Sequence, residues 1–458
     1  MKYTINPDIY YGRYGEYTYV RNVRDRMDYL YNEICYDVLE ALSVKGGRTP
    51  EQLAEYLYTV CEADSMDQGD FMDTLRSDME EFLEELAGER IVAAEELGER
   101  RAGAEPPDRI RDFIREVCYR ERRLLTVCLE LTYRCNEKCI HCYVDDQESG
   151  AGEMSFSDYR TLLDEIRELG CMGVLLTGGE PTLHRDFFEI AFYARRIGLM
   201  VDIYTNGLYV DDGMMDRLIS LRPNSISFSF YGGKAEVHDA VTGVPGSFEK
   251  SLKTMMTCKC AGIDTFIKTV VMKQQNAGRY EELLKLGKRL DIRVMSSLTV
   301  MPTHRGKPAG AYRLMDPEEY RRILELEYRY GLHSTEPMEG ERGDYVCASG
   351  LDALSVNPWG EIYACNANPI VLGTVGGDGI RNVWNTSEAL RGIRNLKFHQ
   401  ISGNCGACAD KNWCGICLGN ALRENGSLKP CSDTCMISRA SHEVYLSHVK
   451  GGETNEKV

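Results

Sequence analysis

The sequence predicts an α/β protein built on a partial (β/α)6 barrel, with a winged-helix-like domain before the barrel and a cysteine-rich domain after it. Three observations carry this prediction: strand-like and helix-like segments alternate between residues 124 and 303, an aromatic hairpin with amphipathic helices precedes them, and cysteines cluster beyond residue 346. Such alternation is typical of parallel sheets covered by helices. The expected segments are a winged-helix-like domain at 1–95, a linker helix at 96–122, the barrel at 123–303, a bridge at 304–345, the cysteine-rich domain at 346–446 and a disordered tail at 447–458.

The bulk composition narrows the class of protein. The chain has 458 residues and a net charge of −17, which disfavours a nucleic-acid partner because phosphate binding needs basic surface. No stretch approaches the roughly 18 apolar residues of a membrane span, and the N-terminus lacks a signal-like apolar run. We therefore expect a cytoplasmic protein without a membrane partner. In that compartment, 18 cysteines point to metal or redox chemistry rather than to disulfides.

The first domain is predicted from a hairpin and three helices. Closely spaced aromatic residues from Tyr10 to Val20 indicate the hairpin. Apolar residues every three or four positions predict the first helix: Met27, Leu30, Ile34, Val38 and Leu42. The second helix begins at Pro50, between the capping-box residues Thr49 and Gln52. The third helix is indicated by Phe71, Leu75, Met79, Phe82 and Leu86.

The barrel is predicted from six strand candidates with helices between them. The strands are Leu125–Leu131, Val174–Thr177, Met200–Tyr204, Ser225–Phe230, Thr265–Met272 and Arg293–Thr299. The clearest helices are Ser157–Leu169, Phe187–Ile197 and Arg279–Leu290. Six units make an incomplete barrel, in which functional residues gather at the carboxyl ends of the strands.

Three cysteines follow the first barrel strand directly, as Cys135-x3-Cys139-x2-Cys142. Three thiolates on one short loop can hold three irons of a 4Fe–4S cluster and leave the fourth iron open. The alternatives are free thiols or a zinc knuckle, in which His141 would be the fourth ligand.

The ends of later strands carry further polar and glycine residues. Gly178 and Gly179 would allow close backbone approach to a ligand, and Glu180 could bind an ammonium group, although a simple turn is the alternative. Asn206 closely follows the third strand. In the fourth strand, period two places Ser225, Ser227 and Ser229 on one face, which predicts a polar barrel interior.

In this order and spacing, these motifs closely resemble the radical S-adenosylmethionine superfamily. The resemblance implies that Cys135, Cys139 and Cys142 bind the catalytic 4Fe–4S cluster, and that S-adenosylmethionine is the second cofactor. Its implied contacts are Glu180 to the methionyl amino group, Asn206 and Ser229 near the ribose or carboxylate, and His141 against the adenine, with Gly178 and Gly179 beside them. The family pattern of serine, aspartate and glycine is altered here to Ser229-Phe230-Tyr231-Gly232.

The C-terminal cysteines resemble a SPASM domain, which carries two auxiliary 4Fe–4S clusters, so three clusters are expected in total. The alternative of a zinc ribbon is disfavoured because only five residues separate Cys408 and Cys414. By resemblance, Cys347, Cys365 and Cys417 hold the nearer cluster. The outer one is held by Cys405, Cys408 and Cys414 with Cys431 or Cys435. Two features depart from the family: only two residues separate Cys414 from Cys417, and no fourth cysteine is evident for the nearer cluster, where Asp352 offers an oxygen.

The N-terminal domain resembles the precursor-peptide recognition domain of ribosomal peptide maturases, with a packing domain as the alternative. This resemblance implies an enzyme that binds a leader peptide and installs a thioether, carbon–carbon or carbon–oxygen cross-link, with a ferredoxin or flavodoxin as electron donor. Two other interpretations stay open: a sulfatase-maturase-like oxidase of a protein Cys or Ser, and a non-catalytic peptide carrier with iron–sulfur clusters.

Overall fold

The computed structural model describes residues 1–43, 47–60, 68–94, 107–144, 152–306, 309–332, 337, 346–401 and 404–452. The chain divides into two compact units. The N-terminal unit comprises Met1–Leu125 with Gly170–Met172, and the barrel unit comprises Thr126–Leu169 with Gly173–Val458. The helix expected to be a linker therefore belongs to the N-terminal unit.

The N-terminal unit contains two small sheets and four helices. An antiparallel sheet has the order β2-β3-β4, and a second sheet pairs β1 with β5. The elements are β1 (Tyr3–Ile5), β2 (Ile9–Tyr14), β3 (Tyr17–Asn22), β4 (Met27–Asn32), α1 (Glu33–Leu42), α2 (Pro50–Val60), α3 (Gln68–Gly88), β5 (Val92–Ala94) and α4 (Pro107–Glu121). The predicted hairpin is confirmed as β2 and β3.

The expected first helix begins later than predicted, because Met27 and Leu30 lie in strand β4. Asp28 pairs with Arg21 across β3 and β4. The two side chains form a buried ion pair at 2.8 Å, and the Tyr19 hydroxyl donates to Asp28 at 2.6 Å. These bonds satisfy a carboxylate that one apolar helix face would have left unpaired. The three-and-four spacing of apolar residues therefore spanned the end of a strand and the start of a helix.

The second and third predicted helices are confirmed as α2 and α3. The Thr49 N–H donates to Gln52 Oε1 at 3.1 Å, and the Gln52 N–H donates to Thr49 Oγ1 at 3.4 Å, which forms the expected capping box. The apolar faces of α1, α2 and α3 meet in one core around Leu39, Leu53 and Leu83.

All six predicted barrel strands are confirmed, and each pairs with its neighbours in parallel. They are β6 (Thr126–Thr132), β7 (Gly173–Gly178), β8 (Met200–Thr205), β9 (Ser225–Ser229), β10 (Thr265–Val270) and β11 (Arg293–Ser297). The intervening helices are α5 (Phe156–Glu168), α6 (Phe187–Arg196), α7 (Asp212–Leu221), α8 (Ala235–Thr242), α9 (Ser247–Cys260) and α10 (Tyr280–Leu290). This parallel sheet has the architecture of a radical S-adenosylmethionine barrel.

The barrel sheet continues into three C-terminal strands that the sequence did not predict. β12 (Ala353–Val356) pairs in parallel with β6, and β13 (Glu361–Tyr363) and β14 (Val371–Thr374) add antiparallel strands. The resulting order is β11-β10-β9-β8-β7-β6-β12-β13-β14. Four residues of β12 are too few for a periodic pattern, and their partner lies more than 200 residues away, so only tertiary pairing defines this strand.

The remaining elements are helices. They are α11 (Pro317–Arg329), α12 (Ile380–Thr386), α13 (Glu388–Arg394), α14 (Leu418–Asn425) and α15 (Ser432–Gly452). α15 continues through Gly452, so the expectation of disorder from residue 447 is wrong for its first six residues. The cysteine-rich region also has an apolar cluster, around Phe398, Ile416 and Leu418. Within the described residues, no helix is both long and apolar enough to cross a membrane.

Candidate functional site

The three predicted cluster cysteines lie together on the loop that follows β6. Burial raises the pKa of the Cys135 thiol to about 12, and the neighbouring Cys142 adds repulsion. Burial raises the pKa of Cys139 further, and Cys135 and Cys142 again contribute. Three partly buried thiols this close together can ionise only beside a compensating cation. Their donor set therefore fits an iron–sulfur cluster, whose irons supply that charge.

A cluster also differs from a single ion in what it requires of its ligands. Within the described residues, no three His, Cys, Asp or Glu side chains converge on a position that could hold one metal ion. The thiolates of a 4Fe–4S cluster each bind a different iron and need no such convergence.

Glu180 stands at the end of β7 and is 1% exposed. Its Oε1 accepts from the hydroxyls of Thr182 and Thr205 at 2.7 Å each. Its Oε2 accepts from the Asn206 N–H at 2.8 Å, so the carboxylate ties β7 to β8. Burial raises the pKa of Glu180, which the hydrogen bonds oppose. Oε2 has only this one partner among these bonds and keeps acceptor capacity for an ammonium group.

Asn206 connects the end of β8 to the cysteine loop. Its Nδ2 donates to Asn136 Oδ1 at 2.7 Å and lies 3.8 Å from Cys135 Sγ. The structure therefore brings together Cys135, Glu180 and Asn206, which are far apart in the sequence. Asn136 was not predicted, although it lies within the cysteine motif.

Gly178 and Gly179 lie very close to the backbone of the cysteine loop. A Cβ on Gly178 would lie 2.3 Å from the Thr132 carbonyl oxygen, and a Cβ on Gly179 would lie 2.4 Å from that of Arg134. The Gly179 N–H donates to the Thr132 carbonyl at 2.7 Å. The two glycines thus bring β7 against the base of the cysteine loop, whose backbone occupies the space where their side chains would stand.

His141 and Ser229 both meet Tyr231, a residue that the sequence showed only as a departure from the family pattern. The His141 ring packs edge-on against Tyr231 with 4.8 Å between ring centroids. Burial lowers the pKa of His141 to about 4, so the ring is neutral at physiological pH. Ser229 hydrogen-bonds the Tyr231 side chain.

The cysteines expected around the nearer auxiliary cluster also lie together. Burial raises the pKa of Cys347 to about 12, and Cys365 and Cys417 add repulsion to its charged form. The Ser349 N–H donates to Cys347 Sγ at 3.3 Å, and the Asn420 N–H donates to Cys417 Sγ at 3.4 Å. Backbone donors to sulfur favour the thiolate form that iron binds.

The structure separates the two cysteines that the sequence left open for the outer cluster. Cys435 interacts electrostatically with Cys408. Its charge also raises the pKa of the Cys405 and Cys414 thiols. Cys431 instead hydrogen-bonds Glu424 and lies near Arg313. The outer group is therefore Cys405, Cys408, Cys414 and Cys435.

The alternation of β9 is confirmed, since Ile226 and Phe228 are buried opposite Ser225 and Ser227. Ser225 donates to Asp202 on β8 at 2.5 Å, which extends the polar face to the next strand. On β10, the Lys268 ammonium lies 4.1 Å from the ring centroid of Tyr204 on β8. Asp202, Tyr204 and Lys268 were missed, although alternating polar residues within their strands could have indicated them.

A cavity of about 370 Å³ lies within the barrel unit, between the end of β6 and the C-terminal strands. The least exposed of its lining residues is Glu130, which is 2% exposed and was also missed. A charged residue inside the apolar strand Thr126–Thr132 was the available signal. The cavity is lined by Glu130, Tyr133, His304, Arg305, Asn357, Trp359, Glu361, Tyr363, Asn366, Pro369 and Arg423.

Two family descriptions match the barrel unit. Residues 129–287 match the radical SAM superfamily, and residues 347–409 match the SPASM iron-sulfur cluster-binding domain. The matched segments contain Cys135, Cys139 and Cys142 in the first case and the cysteines from Cys347 to Cys408 in the second.

Relatives of known activity match about two thirds of the chain. The AdoMet-dependent heme synthase of Methanosarcina barkeri is 26% identical over 329 residues, 66% of this chain and 93% of its own length. The mycofactocin maturase MftC of Mycobacterium tuberculosis is 28% identical over 310 residues, 64% of this chain and 78% of its own length. The subtilosin biosynthesis protein AlbA of Bacillus subtilis is 25% identical over 311 residues, 66% of this chain and 68% of its own length.

Solved structures share the fold at lower sequence identity. Streptococcus suis SuiB, in crystals with S-adenosylmethionine or with its precursor peptide SuiA, is 16% identical and has a TM-score of 0.58; the match covers 94% of this chain and 99% of SuiB. The structure of anSMEcpe with AdoMet is 18% identical and has a TM-score of 0.57; the match covers 73% of this chain and 100% of anSMEcpe.

Proposed function

Because the chain carries a radical SAM domain followed by a SPASM domain, we propose that it is a maturase that modifies a ribosomally synthesised precursor peptide. The observation that carries the substrate class is the N-terminal unit, with its β2-β3-β4 sheet and helices. Its support comes from relatives named as a maturase and a bacteriocin biosynthesis protein, and from the SuiB fold, which extends over 94% of this chain.

The bound cluster and S-adenosylmethionine would supply a 5′-deoxyadenosyl radical able to remove hydrogen from an unactivated carbon. In this proposal, Cys135, Cys139 and Cys142 hold the cluster, and Glu180 Oε2 receives the methionyl ammonium group. His141 packs against the adenine, and Asn206 and Ser229 lie near the ribose or carboxylate. Gly178 and Gly179 act indirectly, because they allow β7 to pack against the base of the cysteine loop.

The SPASM cysteines would hold two further clusters, which makes three 4Fe–4S clusters in all. Cys347, Cys365 and Cys417 belong to the nearer one, and the outer one takes Cys405, Cys408, Cys414 and Cys435. These clusters supply an acceptor for the second electron that cross-linking releases. A cytoplasmic ferredoxin or flavodoxin would deliver the first electron.

The leader peptide would add a strand to the N-terminal sheet. β2 and β4 end that sheet, and an extended peptide can pair with such an edge through its backbone. Leader binding would keep the core peptide near the barrel at high effective concentration. The product would be a thioether or a carbon–carbon or carbon–oxygen cross-link.

Anaerobic reconstitution of the full chain tests the catalytic part. With S-adenosylmethionine and a reductant, we expect 5′-deoxyadenosine and about twelve irons per chain. A Cys135→Ala, Cys139→Ala, Cys142→Ala variant should keep about eight irons and release none of the nucleoside. Failure of the wild-type chain to release it would refute both enzymatic proposals and leave the non-catalytic carrier.

The substrate class is tested with the peptide encoded by a short reading frame beside the gene. Because α4 belongs to the N-terminal unit, the informative deletion removes residues 1–122 rather than 1–95. We expect the deletion to abolish binding of the peptide, measured by fluorescence anisotropy, while the truncated chain still cleaves S-adenosylmethionine without substrate. Unchanged affinity would contradict leader binding.

A second candidate is a sulfatase-maturase-like oxidase acting on a protein Cys or Ser. The specific observation in its favour is the anSMEcpe match, which covers all of that protein without needing the remaining quarter of this chain. This candidate predicts that residues 1–122 are dispensable for substrate affinity, so the same deletion distinguishes the two proposals.

A further inference from the structure

Glu130 is a fully buried carboxylate held by two tyrosines that flank the cysteine loop. The Tyr143 hydroxyl donates to Glu130 Oε1 at 2.8 Å, and the Tyr133 hydroxyl donates to Oε2 at 2.9 Å. Tyr133 precedes Cys135 by two residues, and Tyr143 follows Cys142 directly. The carboxylate is therefore hydrogen-bonded to residues on both sides of the loop that carries Cys135, Cys139 and Cys142.

The cavity places this carboxylate next to the nearer auxiliary group as well. Glu130, Tyr133 and Asn366 all line it, and Asn366 follows Cys365 in the chain. The Asn366 Nδ2 donates to the Tyr143 hydroxyl at 3.5 Å. A peptide side chain in this 370 Å³ cavity would thus lie between the catalytic cysteine loop and an auxiliary cysteine. Among the described residues, the two that hydrogen-bond Glu130 have no role in the proposed function.

The charges around Glu130 suit reversible proton uptake. Burial raises its pKa to about 7, while the two tyrosine hydrogen bonds and the Arg423 charge lower it. The charge of Glu130 also raises the pKa of three other groups, which are Cys128, Tyr159 and Tyr363. Burial raises the pKa of Cys128 to about 12, so this thiol does not compete for protons near pH 7.

We propose that Glu130, held in place by the hydroxyls of Tyr133 and Tyr143, takes the proton that the peptide loses during cross-link formation in this cavity. The inference rests on the proposed function. Joining C–H to X–H, where X is sulfur, oxygen or an aromatic carbon, removes two hydrogens. The first leaves carbon as an atom and goes to the 5′-deoxyadenosyl radical. The second leaves X as a proton that the Glu130 carboxylate takes up, and the remaining electron goes to an iron–sulfur acceptor.

Glu130→Gln tests this assignment in the reconstituted full chain with the precursor peptide. Gln keeps the shape and one acceptor but cannot take a proton. We expect 5′-deoxyadenosine release within about twofold of wild type and cross-linked product reduced about 100-fold. The matched control is Glu327→Gln, since Glu327 is 2% exposed and accepts from the Tyr280 hydroxyl at 3.0 Å, outside the cavity.

A second measurement uses the wild-type chain, so its result does not depend on whether a variant folds. In the wild-type chain, the ratio of product to 5′-deoxyadenosine should rise with pH through about 7, as Glu130 loses its proton. A flat ratio from pH 6 to pH 8, or undiminished product in Glu130→Gln, would overturn the inference while leaving the proposed function intact. A wild-type chain that releases 5′-deoxyadenosine but forms no cross-link would instead refute the proposed function.

Discussion

Gly179 has no room for a side chain, because the base of the cysteine loop fills the space where a Cβ would stand. Its neighbour Glu180 reaches Asn206, and Asn206 reaches Asn136 on the same loop. Motifs that look independent in the sequence are therefore one hydrogen-bonded arrangement. A change at the glycine should therefore act on the cysteines through the backbone of their loop.

Gly179→Ala tests this dependence. The added methyl group would overlap the Arg134 carbonyl, so we expect about 1–3 kcal/mol of destabilisation and loss of the catalytic cluster's iron. Gly392→Ala is the control, because nothing lies within 4 Å of its Cβ position in α13. Thermal unfolding and iron content report both effects, and full iron in Gly179→Ala would contradict the role assigned to the close approach.

The two late cysteines offer a second test at single residues. Cys435 groups with Cys405 and Cys408, whereas Cys431 interacts with Glu424 and Arg313. We expect Cys435→Ala to lose about four irons from the outer cluster and Cys431→Ala to lose none. Iron analysis and electron paramagnetic resonance of the reduced proteins distinguish them. The reverse result would exchange the two assignments.

At the scale of the element, a buried contact between two neighbouring strands stabilises the N-terminal sheet. β3 and β4 are joined by the buried pair of Arg21 and Asp28, which are 2% and 0% exposed at their side chains. An unpartnered buried charge is costly, so this pair specifies that residues 27–32 form a strand beside β3 instead of continuing α1.

Asp28→Asn should therefore lower the free energy of unfolding of the N-terminal unit by about 3–5 kcal/mol, because Arg21 would keep a buried charge without its partner. Glu33→Gln is the matched control, since it breaks the pair with Arg13, in which both side chains are about half exposed. That change should cost at most about 1 kcal/mol. Hydrogen exchange of β3 and β4 measures the difference, and equal costs would contradict the structural role of the buried pair.

The strand β12 shows how an element can join two regions of one unit. Leu354 is 1% exposed on β12 and pairs in register with Val127 of β6. The C-terminal strands therefore extend the barrel sheet instead of forming a separate sheet. This connection also forms the cavity, which is lined both by Glu130 of β6 and by Glu361 and Tyr363 of β13.

At the scale of the whole molecule, the buried carboxylate of Glu130 makes stability depend on pH. Its pKa is about 7 in the folded chain against an ordinary value of 4.5, so the folded state binds its proton more tightly. This contribution to stability is fully present below pH 4.5 and is lost as pH rises through 7. Between pH 5.5 and pH 8 the loss amounts to about 2 kcal/mol.

Glu130→Gln should remove this dependence. Its free energy of unfolding relative to wild type should rise by about 2 kcal/mol from pH 5.5 to pH 8, measured by denaturant titration at both values. Glu327→Gln again serves as the comparison for losing a buried carboxylate. If the difference between Glu130→Gln and wild type is independent of pH, the carboxylate is ionised throughout this range.

The sequence by itself determined the α/β class, the six parallel strands, the cysteine motifs and Glu180, because local periodicity and short spacings record them. Tertiary structure decided the rest, since it depends on residues distant in the chain. Pairing with β3 made Met27 and Leu30 part of a strand, and pairing with β6 created β12. Packing separated Cys431 from Cys435 and buried Glu130 between two tyrosines. Burial sets the cost of a charge, and no local pattern reveals which side chains a fold will bury together.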